Sequence, residues 1–279
     1  MHWLAASLAL VLTLPVSAAA QPTRSALMEV VLRDGTTFVG EVVSDDASTV
    51  VLRGADGAEV SIARERIKRM SAFTGHVVDG EYWRDDALAS KLFLSATGRS
   101  LRRGQAYIGI YQILVPVLHI GITDRLSVGL GKPFYVFSRD IWITPKFQVR
   151  RGARTSAAVG LMHFHIAHAG DVQAAYGAGT IDGSDSALTL GGGWFRARRD
   201  EDHPATRDAG LLIVGVERRT GRRAKLISEN YIYEGGATVS LGVRLIGRIF
   251  HFEAGGVFGL APGTKVGGGP FFSLVWAGQ

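Results

Sequence analysis

Cysteine is absent from all 279 residues. That excludes a disulfide framework, a thiolate metal site, a cysteine nucleophile and the acylated cysteine of a lipoprotein. Long apolar runs are missing too. Beyond the N-terminus no stretch approaches the ~20 continuous apolar residues that a membrane helix needs, although 47% of the chain is hydrophobic. Proline is scarce at 8 residues, whereas glycine reaches 36. Apolar content without long runs, combined with many glycines, points to strands that curve, turn tightly or approach one another closely.

The first residues read as a secretory signal. Trp3 to Pro15 forms an apolar core too short to span a membrane, and Val16-Ser17-Ala18-Ala19-Ala20 supplies small residues for cleavage. The leading segment carries His2 but neither Lys nor Arg. Residues 1–20 are therefore set aside from the fold. The formal net charge is +6. Export makes a nucleic-acid partner a poor match, and anionic lipid headgroups or lipopolysaccharide phosphates are better counter-charges.

Residues 26–73 alternate tightly. Met28–Arg33 leads into Asp34-Gly35, a favoured hairpin turn, and Thr36–Val43 returns. Thr49–Arg53, the Ala55-Asp56-Gly57 turn, Glu59–Ile62 and Arg66–Met70 complete five short strands, the spacing of a small bent barrel. This stretch resembles SH3-like or Sm-like β-barrels, and the resemblance implies a shape, with no ligand attached. The cluster Arg64, Arg66, Lys68 and Arg69 could meet phosphates or peptidoglycan, or could be the solvated, charge-protected face of an edge strand. Residues 74–104 change character and read as a linker and packing segment with one strand-like run, Lys91–Leu94.

From Gln105 onward a period of two recurs almost to the end. Leu118, Ile120 and Ile122 alternate with His119, Gly121 and Thr123. Val239, Leu241, Val243 and Leu245 oppose Thr238, Ser240, Gly242 and Arg244. Strands are predicted near 105–112, 116–123, 126–132, 141–150, 154–166, 170–181, 185–197, 209–219, 223–233, 237–246, 248–259 and 269–277. Short connections fall at one end (124–125, 151–153, 220–222, 247) and long ones at the other (133–140, 198–208, 260–268). That is the asymmetry of outer-membrane barrels, with short turns in the periplasm. The expectation is an all-β chain. A small SH3-like periplasmic domain at 26–73 precedes an antiparallel up-and-down transmembrane β-barrel at 105–279, of about 12 strands, with 10–14 compatible. The same alternation fits a soluble barrel turned inside out, with an apolar interior for a hydrophobic guest.

Three stretches, Ala89–Thr97, Leu101–Tyr107 and Gly121–Gly129, resemble a group of uncharacterised bacterial envelope proteins that couple a "DGT…G" module to a predicted barrel. The resemblance implies an architecture and an outer-membrane address in a diderm bacterium. It implies no chemistry.

Three constellations carry candidate chemistry. His163 and His165 share one strand face about 6.6 Å apart, a spacing that suits two imidazoles on one metal. His168 lies nearby. His251, Glu253, Ser240 and Glu229 sit on inward positions. There they could form a Ser-His-carboxylate set, as in a barrel lipid hydrolase, or belong with Lys225 and Arg244 to a lumen network of both charge signs. Basic residues crowd the short-turn end: Arg99, Arg102, Arg103, Arg150, Arg151, Arg154, Arg218, Arg219, Arg222 and Arg223. Such a ring suits anionic headgroups at about 1 kcal/mol per charge. No nucleophile elbow, phosphate loop or zinc-protease motif is present, and no cofactor is expected. The reading is a non-enzymatic outer-membrane protein, a structural element or narrow pore. Its expected partners are outer-membrane lipids and, through the small domain, peptidoglycan or a periplasmic protein.

Overall fold

A computed structural model of the chain describes residues 27–112, 115–132, 140–166, 170–198, 206–260 and 267–278. The signal-like segment and His168 lie outside them. The chain divides into two compact units, the first ending at Phe73 and the second beginning at Thr74.

In the first unit, β1 (Leu27–Leu32), β2 (Thr37–Asp45), β3 (Thr49–Arg53), β4 (Glu59–Ala63) and β5 (Ile67–Ala72) form one antiparallel sheet in the order β4-β3-β2-β1-β5. The β1–β2 turn works because Gly35 adopts φ +90° and Asp34 accepts the amide of Thr36 at 2.8 Å. Alternate residues supply one core of Val30, Leu32, Val50, Leu52 and Ile62. A 3-10 turn at Arg64–Arg66 joins the two edge strands, and Ile67 packs on the same core. Between β2 and β3, Asp46 accepts the amides and hydroxyls of Ser48 and Thr49, which hold its carboxyl well below the usual range. Three of the four residues in the basic cluster are paired locally: Arg64 with Asp45, Arg66 with Asp34 at 3.3 Å and Arg69 with Glu29 at 3.8 Å.

The second unit contains a closed barrel of twelve antiparallel strands. These are β8 (Ala106–Tyr111), β9 (Val115–Gly121), β10 (Leu126–Gly131), β11 (Ile141–Arg151), β12 (Thr155–Ile166) and β13 (Gly170–Asp182). The ring continues with β14 (Ser186–Arg198), β15 (Thr206–Gly221), β16 (Ala224–Tyr233), β17 (Gly236–Ile246), β18 (Phe250–Leu260) and β19 (Gly267–Gly278). Every strand pairs with its neighbours in sequence, and β19 closes the ring on β8 through Ser273↔Tyr111 to Gly278↔Ala106. Closure leaves no unpaired edge.

The period of two sorts the wall as a membrane barrel requires. Outward positions expose Leu118, Phe147, Leu161, Leu190, Leu212, Leu226, Leu241 and Phe252 around the ring, Leu241 reaching 61%. Inward positions carry Lys146, Glu217, Lys225, Glu229, Arg244, His251 and Glu253, all buried. The inside-out alternative is thereby corrected: the alternating apolar set faces outward, and the charged residues face inward. On β18 the eight steps from Phe250 to Phe258 separate two outward aromatics. At ~3.4 Å per residue and a tilt of ~40°, that is roughly 20 Å along the axis, close to the apolar band of such barrels.

Residues 74–104 are expected to be a linker and packing segment. They form a hairpin, β6 (Gly75–Val78) with β7 (Glu81–Arg84), and then a segment at 86–101 that fills the barrel interior. The strand-like run at Lys91–Leu94 forms no strand. Its one ladder contact is the bridge Lys91↔Ala96.

Candidate functional site

The interior plug is the most constrained feature of the second unit. It enters and leaves at the short-turn end. Arg219 beside that end donates to the carbonyl of Arg84 at 3.0 Å and lies over the Trp83 ring at 5.3 Å. After the plug, Gly104 donates to the carbonyl of Gly121 at 3.1 Å, at the base of β9. The plug folds back on itself through Leu92 N–H to Ser95 at 2.9 Å and Thr97 N–H to Ser90 at 3.1 Å. Its Leu92 and Phe93 pack with Tyr111, Val117, Ile227 and Phe271. Leu88 and Leu101 pack with Tyr107, Val275 and Ala277.

Charge fixes the plug to the wall. An unbroken series of alternating ion pairs runs Asp182–Arg99–Glu217–Lys225–Asp86–Arg244–Glu253–Lys91, four carboxylates and four cations. Asp86, Lys91 and Arg99 come from the plug, and the others from β13 to β18. Arg244 has 0% exposure and spends its fork on Asp86 at 2.7 Å, Glu253 at 2.7 Å and the carbonyls of Leu88, Lys91 and Leu92. Lys91 holds both oxygens of Glu253, at 2.8 and 2.7 Å. Such saturation suits a buried guanidinium or carboxylate, whose desolvation is otherwise unrecovered.

Glu229 is satisfied differently. Three consecutive plug amides, of Phe93, Leu94 and Ser95, donate to it at 2.5, 3.0 and 2.9 Å, and the Tyr231 hydroxyl adds a fourth bond. The plug tip is thus a backbone nest around a wall carboxylate. Glycines make room for this packing. A Cβ at Gly215 would run into the Leu92 side chain, and one at Gly98 into the Ser156 carbonyl.

Of the predicted lumen residues, Lys225, Arg244 and Glu253 do belong to one network, and Glu229 grips the same plug. His251 is buried nearby, but its Nδ1 has no partner among the described residues. The Ser-His-carboxylate set is not assembled. Ser240 Oγ donates to the Glu229 carbonyl at 2.5 Å, and Glu253 is taken by Lys91, Arg244 and Ser273. Sequence reasoning missed Asp86, Lys91 and Glu217. Arg99, grouped there with the turn arginines, is drawn into the interior.

The histidine pair faces the opposite way. His163 and His165 share a face of β12 with the exposed Val159 and Leu161, outside the barrel. Asp171 lies 2.9 Å from His165 and 4.0 Å from His163. No three-ligand metal cluster forms among the described residues. The remaining turn arginines cluster at the short-turn end. Arg102, Arg103, Arg150, Arg154, Arg218, Arg222 and Arg223 are exposed. Arg151 is tied to Gln148 and to the Asp124 carbonyl, and Arg219 to the hairpin.

No known protein family and no curated protein matches the chain. Among solved structures it is similar to the NanC porin, at 8% identity and a TM-score of 0.45 over 63% of this chain and 99% of that one. The KdgM porin in complex with disordered oligogalacturonate gives 9% and 0.45 over 63% and 98%. OmpT, an outer membrane protein of Vibrio cholerae, gives 12% and 0.35 over 90% and 94%. With TM-scores this low, the barrel rests on its own strand pairings.

Proposed function

We propose that the chain is a non-enzymatic outer-membrane anchor: a barrel closed by its own plug, holding an SH3-like domain in the periplasm. One observation carries this reading. A complete ring of strands exposes apolar side chains outward, while its buried inward charges are engaged by a segment that fills the ring from within. In water that outward face would be a large apolar patch on every side, whereas a bilayer covers it. The plug favours an anchor over an open pore, because Leu92 and Phe93 seal against Tyr111 and Phe271 where a channel would run.

The short connections at 122–125, 152–154, 183–185, 222–223 and 247–249 support a periplasmic assignment of that end. The plug enters there, and we assign the first unit, which precedes it in the chain, to the periplasm. Its strand order β4-β3-β2-β1-β5 with a 3-10 turn before the last strand supports the SH3-like reading. Peptidoglycan or a periplasmic protein is its expected partner. The exposed arginines at that end suit anionic inner-leaflet headgroups.

Membrane fractionation with a heat-modifiability gel tests the proposal, followed by planar-bilayer recording. The expected result is outer-membrane partition, a fast-running unheated band and a silent bilayer. A protein soluble without detergent overturns the membrane assignment. Steady conductance from the unmodified chain makes it a pore.

A further inference from the structure

A cavity of about 40 Å3 remains beside the plug, bordered by Lys91 at the end of the ion-pair series and by the wall strands β8 to β13. Its lining includes Lys146, His119, Thr144, Trp142 and Tyr176 from the wall. By the volume one water needs, it holds roughly three waters or one small ion. A sugar or peptide is far too large.

The charge around this cavity is one-sided. Lys146 is 7% exposed and points its ammonium at the carbonyls of Ser90 and Arg99, at 2.7 and 2.6 Å. It forms no ion pair among the described residues, and its third N–H has no partner there. The inward positions of β8 to β12 carry no carboxylate at all. Asp140, just before β11, is six residues from Lys146, ~20 Å along an extended chain. The other cation lining the cavity, Lys91, is neutralised by Glu253. Two further polar atoms of the lining are buried without a partner among the described residues, the indole N–H of Trp142 and the hydroxyl of Thr144. The site therefore offers a buried cation and spare donors with no acid of its own strands to meet them, in a wall whose β13–β18 half pairs its buried cations, Lys225 and Arg244, with carboxylates. An isolated buried charge is costly, and a bound counter-ion relieves that cost.

We propose that this cavity is a small-anion site, with Lys146 as its charged ligand and chloride-sized monovalent anions as its class of occupant. The site belongs to the barrel interior and does not depend on which membrane face the barrel presents to the periplasm.

The test uses the full chain folded in detergent. The unfolding midpoint on heat-modifiability gels is compared in sodium chloride and in sodium gluconate at equal ionic strength, gluconate being too bulky to enter. Excess 35Cl NMR line broadening reads binding directly. The expected result is a midpoint several degrees higher in chloride, excess broadening that bromide displaces, and loss of both in Lys146→Met. Should Lys146→Met give no fast-running band, Thr144→Val serves in its place and is expected to reduce both signals. Equal midpoints with no excess broadening would mean a water-filled cavity and overturn the proposal. So would a chloride effect unchanged in both variants, which would place the ion at the surface arginines.

Discussion

Two halves of the same barrel wall hold the same plug by different means. On β13 to β18, every buried cation meets a carboxylate, and the series of pairs passes back and forth between wall and plug. On β8 to β12, the wall offers aromatics, hydroxyls and one lysine that meets two carbonyls but no carboxylate, and a cavity is left over. The lesson concerns what makes polar packing dense. Paired charges of fixed geometry draw wall and plug together, because a half-satisfied pair in low dielectric costs several kcal/mol. A lone ammonium has no partner to close upon. Its half also contains the three shortest strands of the ring, β8, β9 and β10, of 6, 7 and 6 described residues.

The paired half breaks hardest. Arg244→Ala would strand Asp86 and Glu253 as buried, partly uncompensated carboxylates, with an expected loss of about 3–5 kcal/mol. The unfolding midpoint on heat-modifiability gels would read the loss, and bilayer recording would detect a plug released from its seat. A midpoint unmoved by Arg244→Ala would mean that the ion pairs do not hold the plug.

An arginine is welcome at 244 and unwelcome three residues earlier on the same strand. Leu241 points outward at mid-strand, and Leu241→Arg is expected to cost ~2–4 kcal/mol in a bilayer while changing little in a charged aqueous surface. Folding yield into vesicles checks this, and normal insertion would count against a lipid-facing wall.

Gly215→Val attacks the paired half sterically, without touching charge. The new side chain meets Leu92, so the plug must shift or strain, at about 1–3 kcal/mol. Protease sensitivity of residues 86–101 should rise, and unchanged protection would show that the tip has slack.

How far the sequence displays all this depends on what makes each part. The strands are legible because a closed wall that is apolar outside and filled within needs strict alternation, and each of the twelve predicted segments overlaps a strand of the ring. The abundance of glycine pointed to close approaches, and Gly215 against Leu92 is one of them. The plug was not legible. Residues 86–101 have no period, since their shape comes from partners far away in the chain, such as Glu229, 136 residues from Phe93. The inward charges of β16 to β18 hinted at pairing, yet Asp86 and Arg99 gave no sign that they would be its other members. The histidine pair shows the opposite failure. Its spacing was sound, but the parity of β12 places it outside the barrel, where the neighbouring carboxylate is Asp171.

The smallest expected effect sharpens the comparison most. Thr144 has a buried hydroxyl without a partner among the described residues, on the unpaired half. Replacing a buried polar group that satisfies nothing removes a desolvation cost, so Thr144→Val in gluconate should be neutral or stabilising by up to ~1 kcal/mol. The corresponding inward change on the paired half, Ser273→Ala, removes a donor to Glu253 and should destabilise by about 1 kcal/mol or more. The two shifts in midpoint should therefore have opposite signs, or at least differ by that amount. If Thr144→Val is as costly as Ser273→Ala in gluconate, the hydroxyl has a partner and the two halves are packed alike.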